Sequence, residues 1–303
     1  MIREPAFRTT VSFDGSEIAY QVCGDGPAIV LANGLGGTFA AWHHLYEALG
    51  TGYRVLSWDY RGLFRSPPPQ RRAFDMVTQA RDLEAILAAE RIERTLLAGW
   101  SMGVQVILEH YRRRPECAVG MLMVCGLACS PGEGRVPLAL ARQALRLLKQ
   151  AAPVLGPIAR ASVQSRRIRP LLERLGVVGP TADPEVLQRV AADWNQLDFE
   201  ALVETADALA HSDARDLLPA VRLPVLAVGG DRDFQTPIAM MREMARALPS
   251  ARLVEVKGGT HYTPIEFPDL LADEVVGFLR ELRWGQPARA PSSARFQSSA
   301  SRM

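Results

Sequence analysis

Thr95-Leu96-Leu97-Ala98-Gly99-Trp100-Ser101-Met102-Gly103-Val104 decides how this chain is read. The first four residues carry no charge and suit a buried strand, while Val104, Ile107, Leu108 and Tyr111 recur at helical spacing. Ser101 therefore falls on a strand-to-helix turn. A serine hydroxyl is a weak nucleophile until a base takes its proton, so it must sit where base and substrate carbonyl both reach it. A tight turn at the C-terminal end of a strand does this, and Gly99 and Gly103 provide the room: one beside a strained backbone, the other where the helix starts close to the sheet. A Gly-Ser turn with no chemistry would share the five letters but not the flanking strand and helix.

Outward from that point, runs apolar enough for burial on both faces alternate with helical patterns. Pro27-Ala28-Ile29-Val30-Leu31-Ala32 and Tyr53-Arg54-Val55-Leu56-Ser57-Trp58 precede the Ser101 strand; Val119 to Cys125, Pro224 to Val228 and Ala251 to Val256 follow it. Helices are expected over 38–49, over 75–89 and from Pro237, with Thr236 as N-cap, and the final helix shows Leu271, Val275, Phe278 and Leu282 on one face. A hairpin turned at Asp14-Gly15 should pair residues 9–13 with 17–21. The alternation implies an α/β fold, a mostly parallel twisted sheet flanked by helices with right-handed crossovers. It breaks between Leu127 and Asp216, where only helical pieces appear, among them Leu138-Ala141-Leu145-Leu148 and Leu202-Ala206-Leu209, cut by prolines. Residues 1–125 and 218–283 read as one core, 126–217 as an inserted helical cap, and 284–303, rich in Ser, Ala, Pro and Arg, as a disordered tail.

Composition narrows the function. Of 303 residues 48% are hydrophobic and 22% charged, and the net charge of +2 gives no field that would recruit nucleic acid. All but Lys149 and Lys257 of the 35 basic residues are arginine, spread along the chain as expected of solvated surface; those of the insertion could meet an anionic substrate, but a solvated helix face is the commoner explanation. No apolar run approaches the roughly 20 residues of a membrane span, and the N-terminus lacks a signal-peptide core, so no membrane partner and a cytoplasmic location are expected. Cys23, Cys117, Cys125 and Cys129 show no metal spacing, so they read as free thiols, with no metal and no cofactor.

Three further segments bear on chemistry. Asn33-Gly34-Leu35-Gly36-Gly37 follows a buried strand, and glycines this dense leave backbone N–H groups free to face a developing oxyanion, or else make a simple turn. Asp231 and Asp233 follow one late strand and His261 follows the last. Both positions lie at the sheet edge where the loops of parallel strands converge. His43, His44, His110 and His211 sit in helical or inserted segments and read as surface or packing residues.

Taken together these residues resemble the α/β-hydrolase family, serine-nucleophile branch. The nucleophile elbow, the glycine-rich loop, Asp59-x-Arg61-Gly62, Gly230-x-x-Asp233 and a late Gly-Thr-His carry the likeness over residues 8–283 apart from the insertion, in the chain order Ser, Asp, His. Asn33 stands where many members carry histidine, and Phe64 where many carry a second glycine. The resemblance implies Ser101 as nucleophile, His261 as base and Asp233, rather than Asp231, as the acid. It implies oxyanion donors at the backbone N–H of Leu35 and Met102, with Asn33, Gly34 and Trp100 near the substrate. Cys125-Gly126-Leu127-Ala128 offers no carboxylate at the family's other acid position. The implied activity is hydrolysis of a small or medium-sized carboxylic ester. Acyl transfer, cofactor-free perhydrolase or haloperoxidase chemistry, and ligand binding without catalysis are its alternatives.

Overall fold

The computed structural model describes residues 5–50, 52–130 and 168–285 and the short pieces 147, 150–151, 154–158 and 161–162. Leu138, Ala141, Leu145 and Leu148 and the tail beyond Gly285 lie outside the described residues.

Eight strands form one sheet. They are β1 (Ala6–Val11), β2 (Glu17–Cys23), β3 (Ala28–Ala32), β4 (Arg54–Trp58), β5 (Thr95–Trp100), β6 (Ala118–Val124), β7 (Val225–Gly230) and β8 (Ala251–Val256), in the order β1-β2-β4-β3-β5-β6-β7-β8. β2 runs antiparallel to both neighbours, and every pairing from β4 to β8 is parallel. The hairpin register pairs Thr10 with Ile18 across a turn at Gly15, whose φ is +86°. Its first strand begins three residues earlier than the sequence pattern indicates, because an exposed edge strand has no burial period to mark its start.

The helices include α1 (His43–Leu49), α2 (Met76–Ala89), α3 (Met102–Arg113), α4 (Ile168–Arg174), α5 (Pro184–Asp193), α6 (Phe199–Ala210), α7 (Ile238–Ala247), α8 (Thr263–Glu266) and α9 (Pro268–Glu281). Alternate strand residues divide the core. Val30, Leu56, Leu97 and Met121 pack with Leu83 and Ile86 of α2 and Ile107 of α3, whereas Ile29, Leu31, Leu96 and Leu122 pack with Leu45 of α1 and Val275 and Phe278 of α9. Side chains of this size each stabilise the fold by about 1.5–3 kcal/mol on burial. Asp75, Asp183 and Asp198 cap α2, α5 and α6 by accepting first-turn N–H bonds. Such a cap contributes about 1 kcal/mol.

One expected cap is displaced. Pro237, not Thr236, occupies the N-cap position of α7, since the Thr236 hydroxyl and N–H both donate to Asp233. Between β6 and β7 the regular structure of the described residues is helical, apart from an isolated bridge between Cys129 and Asp213. The four cysteines are free and buried.

The Asp59-x-Arg61-Gly62 motif is an internal clamp. Arg61 is wholly buried, and its guanidinium donates to Asp82 of α2 and to Asp14 of the hairpin turn. Asp59 is also buried, which pushes its carboxyl up to about 6 despite the Arg65 guanidinium beside it. Phe64 has φ 53°, the left-handed backbone for which a glycine would be unstrained.

Candidate active site

The turn after β5 has the strain its sequence implies. Ser101 adopts φ 56° and ψ −119°, a rare conformation for a residue with a side chain, and Met102 opens α3 directly behind it. Two glycines make this approach possible. A Cβ on Gly103 would lie 2.2 Å from the Ala32 carbonyl oxygen of β3, and one on Gly99 2.5 Å from the Gly103 backbone. Ser101 donates its N–H to Val124 at 2.9 Å, which ties the turn to the end of β6.

Three side chains from separate strand ends meet here. His261 Nε2 is 2.8 Å from Ser101 Oγ, and His261 Nδ1 is 2.8 Å from Asp233 Oδ2. Asp233 and His261 are buried and Ser101 half-buried. Asp233 also accepts the N–H of Gln235 and of Thr236 at 2.8 Å each and the Thr236 hydroxyl at 2.6 Å. Burial acts to raise the Asp233 carboxyl, but the bonds from His261 and Thr236 outweigh it and hold its pKa below the ordinary value. The carboxylate is therefore ionised near neutrality and favours the His261 tautomer that carries hydrogen on Nδ1, leaving Nε2 free to accept the serine proton.

Asp231 goes elsewhere, accepting the Gly258 N–H at 2.7 Å. The His261 backbone is held from both sides. Trp100 Nε1 donates to its carbonyl at 2.9 Å, and the preceding Thr260 gives its N–H, at 2.8 Å, and its hydroxyl to the buried carboxylate of Glu266. Glu266 also accepts the Gly179 N–H from the segment between α4 and α5. Thr236 reads in the sequence only as a helix cap, and no motif marks Glu266, whose one signal is a lone carboxylate inside the apolar Thr263-Pro264-Ile265-Glu266-Phe267 stretch.

The glycine loop after β3 packs against the serine. A Cβ on Gly34 would lie 3.2 Å from Ser101 Cβ, and Gly37 donates its N–H to the Gly34 carbonyl at 2.9 Å, closing a tight turn through Leu35 and Gly36. Leu35 is half-buried in that turn, and the N–H of Met102, first residue of α3, has no partner within its own helix.

Asn33 and Trp100 have partners inside the protein. The Asn33 side chain donates to the Trp58 carbonyl at 2.9 Å and accepts from Trp42 Nε1 at 2.9 Å and Ser57 Oγ at 3.2 Å. It is buried and serves to fix the loop, because its hydrogen-bonding groups are already engaged inside the protein. Trp100, likewise buried, spends its polar group on the His261 carbonyl and so supports the histidine loop. Gly34 lies against both Ser101 and the Trp100 ring. Among the other histidines, His110 is buried between α2 and α3, whereas His44 pairs with Asp183 at 2.8 Å, His43 contacts Arg189 at 3.2 Å and His211 is exposed. Among the described residues no group of His, Cys, Asp or Glu is arranged to hold a metal, and no helix is long and apolar enough to cross a membrane.

An elbow serine facing a histidine and a carboxylate at the C-terminal edge of a parallel sheet is the arrangement of one large class. Residues 29–274 match the model of the alpha/beta hydrolase family, and the chain belongs to that family. Among its relatives is the protein assigned as the carbamate hydrolase RutD of Azorhizobium caulinodans, 26% identical over 88% of this chain and 96% of the relative. Another is the pimeloyl-[acyl-carrier protein] methyl ester esterase of Aeromonas hydrophila, 27% identical over 84% of this chain and 96% of the relative. Of solved structures, the enol-lactonase of Burkholderia xenovorans superposes with a TM-score of 0.72 at 25% identity, covering 90% of this chain and 100% of the other. An esterase of Thermogutta terrifontis gives 0.73 at 22% identity, covering 92% and 99%.

Proposed function

We propose that this protein is a serine hydrolase that cleaves the ester bond of a small or medium-sized acyl substrate through an acyl-Ser101 intermediate. The observation that carries the reading is the unbroken line from Asp233 Oδ2 through His261 to Ser101 Oγ, with both contacts at 2.8 Å. His261 Nε2 takes the hydroxyl proton as Ser101 Oγ bonds to the carbonyl carbon, and Asp233 steadies the imidazolium. The oxyanion is received by the backbone N–H of Leu35 and Met102. One such donor is worth about 2.7–4 kcal/mol in the transition state. The intermediate collapses as the C–O bond to the alcohol breaks and His261 returns the proton to the leaving oxygen. Water, deprotonated by the same nitrogen, then attacks the acyl carbon and frees the acid and Ser101.

Relatives named for carbamate, methyl ester and enol-lactone substrates all act on an acyl carbonyl bonded to oxygen or nitrogen, which supports this chemistry without choosing the acyl group. Passing the acyl group to an acceptor other than water would use the same groups. We further read residues 126–217 as a cap over the strand ends that selects substrate size, its α5 and α6 lying beside the glycine loop.

The test is turnover of p-nitrophenyl esters of graded length, with lactones and carbamates alongside, by wild-type protein and Ser101→Ala, together with fluorophosphonate labelling. Labelling and hydrolysis lost in Ser101→Ala support the reading. Equal hydrolysis by both proteins overturns the Ser101 assignment, and a wild type that neither labels nor turns over would be a binding protein of this fold.

A further inference from the structure

The glycine loop is supported from two directions, and one support comes from outside the core. On the core side Tyr60 donates its hydroxyl to the Asn33 carbonyl at 2.7 Å, and Asn33 itself is fixed by Trp42, Ser57 and Trp58. On the far side Trp194, in the short helical turn between α5 and α6, donates Nε1–H to the Gly36 carbonyl at 2.9 Å. Its ring carbon Cζ2 lies 3.0 Å from the place a Gly36 Cβ would take, so the indole also lies against the Gly36 backbone.

Gly36 has φ +72°, as the third position of a type II turn requires. Glycine reaches this conformation freely and leaves it as freely. The turn itself contains only the bond from Gly37 N–H to Gly34 O, so an outside contact is needed to hold the Gly36 peptide in one orientation. Trp194 supplies it, and its own position is secured. Asp193 pairs with Arg65 at 3.0 Å, Arg65 with Asp59 at 3.3 Å, and at the other end of α5 Asp183 meets His44 at 2.8 Å.

We propose that Trp194 is a positioning residue for the oxyanion turn: the insertion contributes to the chemical step by holding Gly36, and with it the Leu35 N–H, in register with Ser101. This rests on the serine-hydrolase reading. Electrostatic stabilisation of an oxyanion depends on donors fixed before the reaction begins, and a displacement of about 1 Å can cost about 100-fold in rate.

The experiment is Trp194→Phe, which keeps an aromatic ring and removes the donor. We expect kcat to fall by about 10- to 100-fold with KM little changed, an alkyl trifluoromethyl ketone to bind more weakly by a similar factor, and the Gly37 amide to exchange faster with solvent. Wild-type kcat and wild-type Gly37 exchange in this variant would overturn the proposal, as would a changed chain-length profile with no loss of kcat toward a short ester. If the variant does not fold, exchange of the Trp194 indole hydrogen in the wild type decides. Slow exchange supports the bond to Gly36, and exchange at the rate of a free indole overturns it. The serine reading fails separately, through undiminished hydrolysis by Ser101→Ala, and the exchange measurements still report on the turn.

Discussion

Asp231 and Asp233 stand two residues apart on the loop after β7, yet their carboxylates have different partners: Asp233 meets His261 Nδ1 at 2.8 Å, and Asp231 accepts the Gly258 N–H at 2.7 Å. Only Asp233 can choose the imidazole tautomer. Asp233→Asn should lower kcat by about 10⁴-fold, the scale seen when an amide replaces the carboxylate in such a site. Asp231→Asn should stay within about tenfold of wild type, since a loop N–H is its partner. Steady-state kinetics on one p-nitrophenyl ester compares them, and the reverse order would make Asp231 the acid.

Glu266→Gln probes the support behind the histidine. The carboxylate accepts from the Thr260 N–H, the Thr260 hydroxyl and the Gly179 N–H, and an amide turns one accepting oxygen into a donor. A buried N–H left facing a donor costs about 1–3 kcal/mol, so the urea midpoint should drop. Because Thr260 precedes His261, kcat should fall by roughly tenfold as well. Lower stability with unchanged kcat would mean that the Trp100 bond to the His261 carbonyl is sufficient to hold the imidazole.

The elbow should not tolerate added atoms. A Gly103→Ala methyl would meet the Ala32 carbonyl at 2.2 Å, against backbone that cannot turn aside. Either α3 moves off β3 and takes Met102 with it, or the fold yields. Overpacking of this kind costs about 1–3 kcal/mol or more. We expect a lower thermal midpoint and loss of most hydrolysis; a variant with wild-type midpoint and kcat would contradict this account of the helix start.

His110 predicts a pH dependence of stability. Burial lowers its pKa to about 4 from 6.5, so the folded protein keeps it neutral while the unfolded chain takes up a proton between those values. Stability from this group is complete above about pH 6.5 and is lost as pH falls toward 4, by up to about 1.4 kcal/mol per pH unit. In His110→Leu the unfolding free energy should therefore decline less steeply between pH 6.5 and 4 than in wild type. Denaturant titrations at pH 7, 5.5 and 4.5 measure both slopes, and parallel slopes would show that His110 takes up no extra proton on unfolding.

Much of this molecule was legible in one dimension. The apolar runs of β3 to β7, the helical stripes of α2, α3 and α9 and the strand-turn-helix at Gly99–Gly103 depend on side-chain period and on turn chemistry, which neighbouring residues determine. Placement of Ser101, Asp233 and His261 after strand ends followed from the same patterns, and the resemblance to a known family supplied their pairing. The partners of each polar group were not legible. Thr236 reads as a helix cap and instead binds Asp233; Asn33 and Trp100 read as substrate contacts, and the hydrogen bonds by which they fix the glycine loop and His261 have no sequence signal. Trp194 carries no local mark, and Glu266 only that of a carboxylate in an apolar stretch, because their partners, Gly36 and Thr260 with Gly179, come from other turns of the chain. A hydrogen bond is satisfied by whichever group the packed sheet brings within about 3 Å, and only the tertiary structure sets that distance.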